Sequence, residues 1–218
     1  NASSRGLGDV YKRQPFISFI ILKGRCRNCD FKIPYQYFLV ELIVGLGFLV
    51  SYYFYGITVT TLLLFILIIF FVIIYFIDLK HFIIPNELTF PLMGIGFIKS
   101  FDPNLNQYLF PNYINSLIGG VVGYFIIWTI IFGYKKLKNK EGMGLGDAKL
   151  LSAIGFWFGW ISIPFILFFS SFIALMFAIP DLIKKSKTMS SKIPFGPYLV
   201  LGCVLYFFLI EQIVKFSN

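Results

Sequence analysis

Between Val59 and Ile77, nineteen residues pass without a single charged side chain. A helix of that length rises about 28 Å, close to the ~30 Å hydrocarbon thickness of a bilayer. The run is not isolated. Further apolar segments near 36–55, 88–100, 113–133, 146–160, 163–182 and 196–214 bring the candidate spans to about seven. Of the 218 residues, 58% are hydrophobic and only 13% are charged. A soluble domain carries about 25% charged residues, so too little polar material remains here to build a water-facing surface. A soluble enzyme, a disordered chain and a secreted disulfide scaffold are thereby excluded, the last also because three cysteines are too few. The expected fold class is all-α, a polytopic transmembrane helical bundle. The third and fifth segments are short and rich in Gly or Pro, which predicts tilted or broken helices covered by the rest of the bundle.

The net charge of +9 does not point to nucleic acid, because the basic residues form islands between the apolar runs. With the spans above, sixteen Lys or Arg fall on one side, in segments 1–35, 78–87, 134–145 and 184–195. The opposite side has none in 101–112 and only Lys215 in the tail. The basic side is therefore expected to be cytoplasmic, and the lysines act as topology determinants. Residues 1–14 are polar, lack periodicity and share nothing with the remainder. They are read as a non-native or artefactual amino terminus in place of the natural one.

Carboxylates inside apolar spans are costly and are functional candidates by default. Asp78 closes the second span, in Tyr75-Phe76-Ile77-Asp78-Leu79-Lys80-His81-Phe82-Ile83-Ile84-Pro85-Asn86. Asp147 opens the fifth, in Gly142-Met143-Gly144-Leu145-Gly146-Asp147-Ala148-Lys149. The topology puts both at the same, basic end. Two carboxylates brought together cannot both ionise cheaply, so the pair shares a proton. One member can then activate water while the other protonates a leaving nitrogen, which is aspartic proteolysis. The plainer readings are an interfacial helix-end carboxylate for Asp78 and a helix cap for Asp147. Gly142, Gly144 and Gly146 leave backbone uncovered for an extended peptide, and Pro85 ends any helix running through Asp78. Lys80 and Lys149, each two residues beyond an aspartate, act on the carboxylates, meet the substrate or snorkel to headgroups.

These motifs resemble those of the type IV prepilin peptidases, the membrane aspartic peptidases that trim prepilin leaders. The Asp78–Thr89 stretch resembles the first aspartate motif and Gly144-Leu145-Gly146-Asp147 the Gly-x-Gly-Asp motif. Ile193-Pro194-Phe195-Gly196-Pro197-Tyr198 resembles the Pro-Phe-Gly-Pro-Tyr loop, and Gly24-Arg25-Cys26-Arg27-Asn28-Cys29 half of a cytoplasmic cysteine region. The resemblance covers about nine tenths of the chain. It implies Asp78 and Asp147 as the catalytic pair, in a peptidase domain over 36–218. Gly144, Gly146, Pro194, Phe195, Gly196 and Pro197 would shape the peptide channel. Residues 15–35 would be a remnant of the cysteine-containing region. Four thiolates close a tetrahedral zinc site and two do not, so Cys26 and Cys29 are either half of such a site or free thiols. Proteolysis needs no cofactor. By the same resemblance, zinc and S-adenosylmethionine, the latter for methylating the new amino terminus, would be expected only of the full-length protein.

The implied partner is a prepilin or pseudopilin cleaved at the cytoplasmic face of the bacterial inner membrane, with lipid around the bundle and no nucleic acid. The oligomeric state is left open. Rival readings are another Gly-x-Gly-Asp protease, of the preflagellin or presenilin-like kind, and a proton-coupled transporter. The first would carry a Pro-Ala-Leu motif if presenilin-like, and the second a repeated, broken-helix pattern; neither is visible.

Overall fold

The computed structural model describes residues 34–105, 109–138, 144–183 and 194–217, together with Phe19 and Gly24. Cys26, Cys29 and residues 1–14 lie outside them. Seven helices run through the described residues, and no strand is found among them. They are α1 (Tyr35–Tyr55), α2 (Val59–His81), α3 (Asn86–Ile98), α4 (Tyr113–Lys138), α5 (Leu145–Phe158), α6 (Ser162–Ile183) and α7 (Gly196–Ser217). Each coincides with one of the seven apolar segments, to within a few residues at the ends. A multi-pass helical membrane protein is the architecture.

By length and composition α1, α2, α4 and α6 are able to cross a bilayer. The helices α3 and α5 are not. At 13 and 14 residues they rise only about 20 Å, as their short apolar runs imply, and α3 carries Pro91 internally.

The chain divides into two compact units, Asn1–Val72 and Ile73–Asn218. In the first, α1 meets the opening turns of α2. The rings of Phe48 and Phe65 pack edge to face at 5.0 Å, and Gly47 leaves room for Ile68, whose Cδ1 lies 3.0 Å from where a Cβ would stand. Gly56 turns the chain at φ 63, and Thr61 Oγ1 donates to its carbonyl at 2.6 Å.

In the second unit α5 is the hub. It packs against α3, α4, α6 and α7, and ten of its fourteen residues are buried, including Asp147 and Trp157. A helix too short to span is thus covered on nearly every side by protein, so its polar ends need not meet lipid.

The closest approach is between α4 and α5. A Cβ on Gly155 would overlap the Gly119 carbonyl, one on Gly119 the Gly155 carbonyl, and one on Gly123 would lie 2.7 Å from the Leu151 oxygen. Small residues let the two backbones touch, and polar groups then bond across the seam. Ser152 Oγ donates to Gly120 O at 2.8 Å and Ser116 Oγ to Phe156 O at 2.7 Å. Backbone has no rotamer through which to yield. Gly155→Ala is therefore expected to cost about 3 kcal/mol, the upper end for overpacking, as read from unfolding in detergent; an unchanged stability would refute this contact.

At the far end of α5, Lys99 is buried. Its Nζ donates to Trp157 O at 2.9 Å and sits 3.9 Å from the Phe110 ring centroid. That carbonyl belongs to the last turn of α5, where no helical amide remains to pair it, and a cation is favoured there by the helix dipole. Trp157 in turn lies over Gly96 and donates its Nε1–H to Leu92 O at 2.8 Å.

Candidate functional site

Helix α2 ends three residues beyond Asp78, at His81. The amide of Phe82 donates to Asp78 O at 2.9 Å, and Phe82 itself sits at φ 57. That left-handed turn is a position glycine usually fills, and the stop therefore comes at Phe82, three residues before the Pro85 that breaks the helical pattern in the sequence. Holding a bulky residue there costs roughly 1–2 kcal/mol. Phe82→Gly is expected to raise the melting temperature in detergent by about 2–4 °C. A lower one would mean that contacts of the ring outweigh the strain.

After the bend, Ile83 and Ile84 lead to Pro85, and Asn86 opens α3. Ile84 is buried although its neighbours Phe82 and Ile83 are exposed. A Cβ on Gly146 would stand 3.0 Å from Ile84 Cβ, and one on Gly196 would stand 2.9 Å from Ile84 Cδ1. Ile84 is thus wedged between the start of α5 and the start of α7. Neither it nor Asn86 stood out in the sequence. The connection Phe82-Ile83-Ile84-Pro85 is apolar throughout, so no local pattern marks Ile84 out from its neighbours.

Both aspartates are buried, at 4% exposure for Asp78 and 8% for Asp147, and they interact electrostatically. Asp78 reaches this place from the last turns of α2. Asp147 does so from the first turn of α5, where the helix dipole favours an acid. The amide of Gly196, first residue of α7, donates to Asp78 Oδ2 at 3.0 Å. A Cβ there would come within 2.6 Å of the same oxygen.

Three chain segments distant in sequence therefore meet: the 78–86 connection, the opening of α5 and the opening of α7. Gly146 and Gly196 stand at the contact itself. Gly144 is exposed, with its Cβ position 3.8 Å from Asp147 Oδ2. Pro194 and Phe195 are half-buried and Pro197 is buried; Phe195 O accepts the Tyr198 and Leu199 amides at 3.0 and 3.1 Å, which starts α7. Lys149 does not reach a carboxylate. Its Nζ donates to Asn86 Oδ1 at 2.6 Å and lies 5.4 Å from the Phe90 ring centroid. Lys80 and His81 are exposed.

Among the described residues no group of three or more His, Cys, Asp or Glu is placed to hold a metal ion. The zinc reading of Cys26 and Cys29 falls outside those residues.

A helical membrane bundle with two buried, interacting aspartates invites comparison with membrane aspartic peptidases. Residues 65–179 match the type IV leader peptidase family, and residues 8–55 match the bacterial Peptidase A24 N-terminal domain. The prepilin leader peptidase/N-methyltransferase of Aeromonas salmonicida is 37% identical over 195 residues, covering 86% of this chain and 63% of that protein. Its namesake in Xanthomonas campestris is 36% identical over 208 residues, covering 94% and 71%, and that in Neisseria gonorrhoeae 34% over 198, covering 90% and 66%. The chain belongs to the type IV leader peptidase family. It spans about two thirds of the length of these relatives. No solved structure matches it.

Proposed function

We propose that this chain is a membrane-embedded aspartic endopeptidase that removes the leader peptide from type IV prepilins or pseudopilins, with Asp78 and Asp147 as its catalytic pair. The observation that carries the reading is the buried Asp78–Asp147 pair itself. Two carboxylates are brought together by distant segments in a protein interior where each is expensive to keep.

The chemistry follows from one proton shared between them. With one carboxylate ionised and the other protonated, a water held between them loses its proton to the ionised member as its oxygen attacks the scissile carbonyl carbon. The protonated member gives its proton to the carbonyl oxygen, forming a tetrahedral diol. Collapse of the diol breaks the C–N bond; the leaving nitrogen takes a proton from the first carboxyl, and the second carboxylate takes one back from the diol. The pair ends with a single proton, ready for another turn. The hydrogen bond from the Gly196 amide holds Asp78 in one orientation through this cycle.

The substrate reading rests on family membership and on topology. The C-terminal end of α2 and the N-terminal ends of α5 and α7 all adjoin basic segments, so the positive-inside rule puts the pair at the cytoplasmic face of the inner membrane. A prepilin whose apolar helix lies in the bilayer then presents its leader junction at the depth of the aspartates. Gly144, Gly146 and the segment Pro194-Phe195-Gly196-Pro197 border the path of the peptide. The names of the relatives couple leader removal with N-methyl transfer; for the whole protein we extend this to methylation from S-adenosylmethionine, with no residue assigned.

The test is incubation of the protein, in liposomes, with a prepilin from the same organism. Release of the leader, read by product mass, supports the reading, and an intact prepilin in the presence of the full-length protein sinks it.

A further inference from the structure

On α5, Asp147 lies between two residues that grip the same short piece of chain. Gly146, just before it, receives Ile84. Lys149, two residues after it, donates to Asn86 at 2.6 Å. Ile84 and Asn86 close the connection that leaves Asp78. The stretch from Asp78 to Asn86, the last turn of α2 and the bend that follows it, is therefore anchored to α5 on either side of Asp147.

We infer that Lys149 and Asn86 are positioning residues. Their bond, together with the Ile84 wedge, clasps the 78–86 connection to α5 and sets the spacing of the two carboxylates. The inference rests on the function proposed above.

Asn86 and the bond itself are exposed, and it is the chemistry of the pair that supports a clasp. Lys149 is half-buried, and its ammonium bonds a neutral amide oxygen in a charge-assisted hydrogen bond, the stronger kind. Its position near the Phe90 face adds a second favourable contact on the same helix, α3. A lysine that only snorkelled to headgroups would not engage the first turn of α3. Burial of Ile84 alone fixes where the connection packs, but an apolar contact is non-directional; the Lys149–Asn86 bond supplies the direction. Since a displacement of about 1 Å at reacting groups costs on the order of a hundredfold in rate, losing the clasp is expressed in turnover rather than in binding.

The experiment has two arms. In the first, cleavage of a purified prepilin is measured for Lys149→Met, Asn86→Ala, the double variant, and the exchange Asn86→Lys/Lys149→Asn. Each single variant is expected to lose at least tenfold in kcat with KM within about twofold. The double variant should be no worse than either single, and the exchange, which restores the bond in reverse, should recover to within about threefold of wild type. Additive losses, or no recovery on exchange, would overturn the inference.

The second arm does not depend on cleavage. Leu79 and Leu145 are exposed neighbours of the two aspartates. They are replaced by Cys and spin-labelled in a chain whose Cys26, Cys29 and Cys203 are Ser. The distance distribution between the labels in liposomes is expected to widen at least twofold on adding Lys149→Met; an unchanged distribution refutes the clasp. If wild type fails to cleave the prepilin, the peptidase reading falls, while the label distances still decide whether Lys149 sets the spacing.

Discussion

Asp78→Asn and Asp147→Asn should each reduce leader removal by about ten-thousand-fold, the upper range for loss of a positioned acid–base group. Asparagine matches aspartate in shape, and its side-chain oxygen at position 78 still accepts the Gly196 amide, whose nitrogen lies 3.0 Å from Asp78 Oδ2. The packing around Ile84 is untouched. Melting temperatures of both variants should therefore lie near that of wild type or above it, because a buried carboxylate is costly to keep. Activity should collapse because an amide neither takes the proton of water nor gives one to the leaving nitrogen. The double variant should be no slower than either single one, since residues that act as a unit lose their effect together. Product mass measures the rate, and full activity in either single variant would remove that aspartate from the chemistry.

These variants also separate the rival readings left by the sequence. A helix-end carboxylate at position 78 or a simple cap at 147 would show itself in stability and leave turnover nearly intact. A catalytic pair shows the reverse pattern. Burial of both side chains already weighs against exposed interfacial roles, since a capping or headgroup-facing carboxylate has no need to be shielded from water.

The helices were legible in the sequence because their signal is local. An uninterrupted apolar run such as 59–77 admits no other fold. The short length of α3 and α5 was visible in the same way. The aspartates were legible for the complementary reason, as charges where the pattern allows none. What the sequence did not reveal depends on contacts between distant segments. Gly119 and Gly155 look like ordinary helical glycines until α4 and α5 are seen touching through their backbones. Lys99 reads as a span-end lysine, yet it finds a carbonyl of α5 fifty-eight residues away. Ile84, one isoleucine among many, is distinguished only by the two glycines that make room for it. Gly196 was visible as part of a loop motif, but its amide bond to Asp78 spans 118 residues and no local pattern encodes it.

That bond makes Gly196→Ala the other variant with a large expected effect. The backbone at Gly196 does not lie in the left-handed region, so alanine is conformationally acceptable and the demand for glycine is one of space. A Cβ there would stand 2.6 Å from Asp78 Oδ2 and 2.9 Å from Ile84 Cδ1. Something must shift, and the two neighbours register the shift differently. Displacing Asp78 should lower kcat about a hundredfold with KM little changed, the penalty for misplacing a reacting group by about 1 Å. Crowding Ile84 should cost about 1–3 kcal/mol of stability through overpacking. Adding Ile84→Val removes Cδ1 but leaves the carboxylate where it was. The Gly196→Ala/Ile84→Val double variant should therefore regain part of the lost stability and none of the lost turnover. Recovery of both together would mean that Gly196 serves only the packing of Ile84, and that its contact with Asp78 has no part in the reaction.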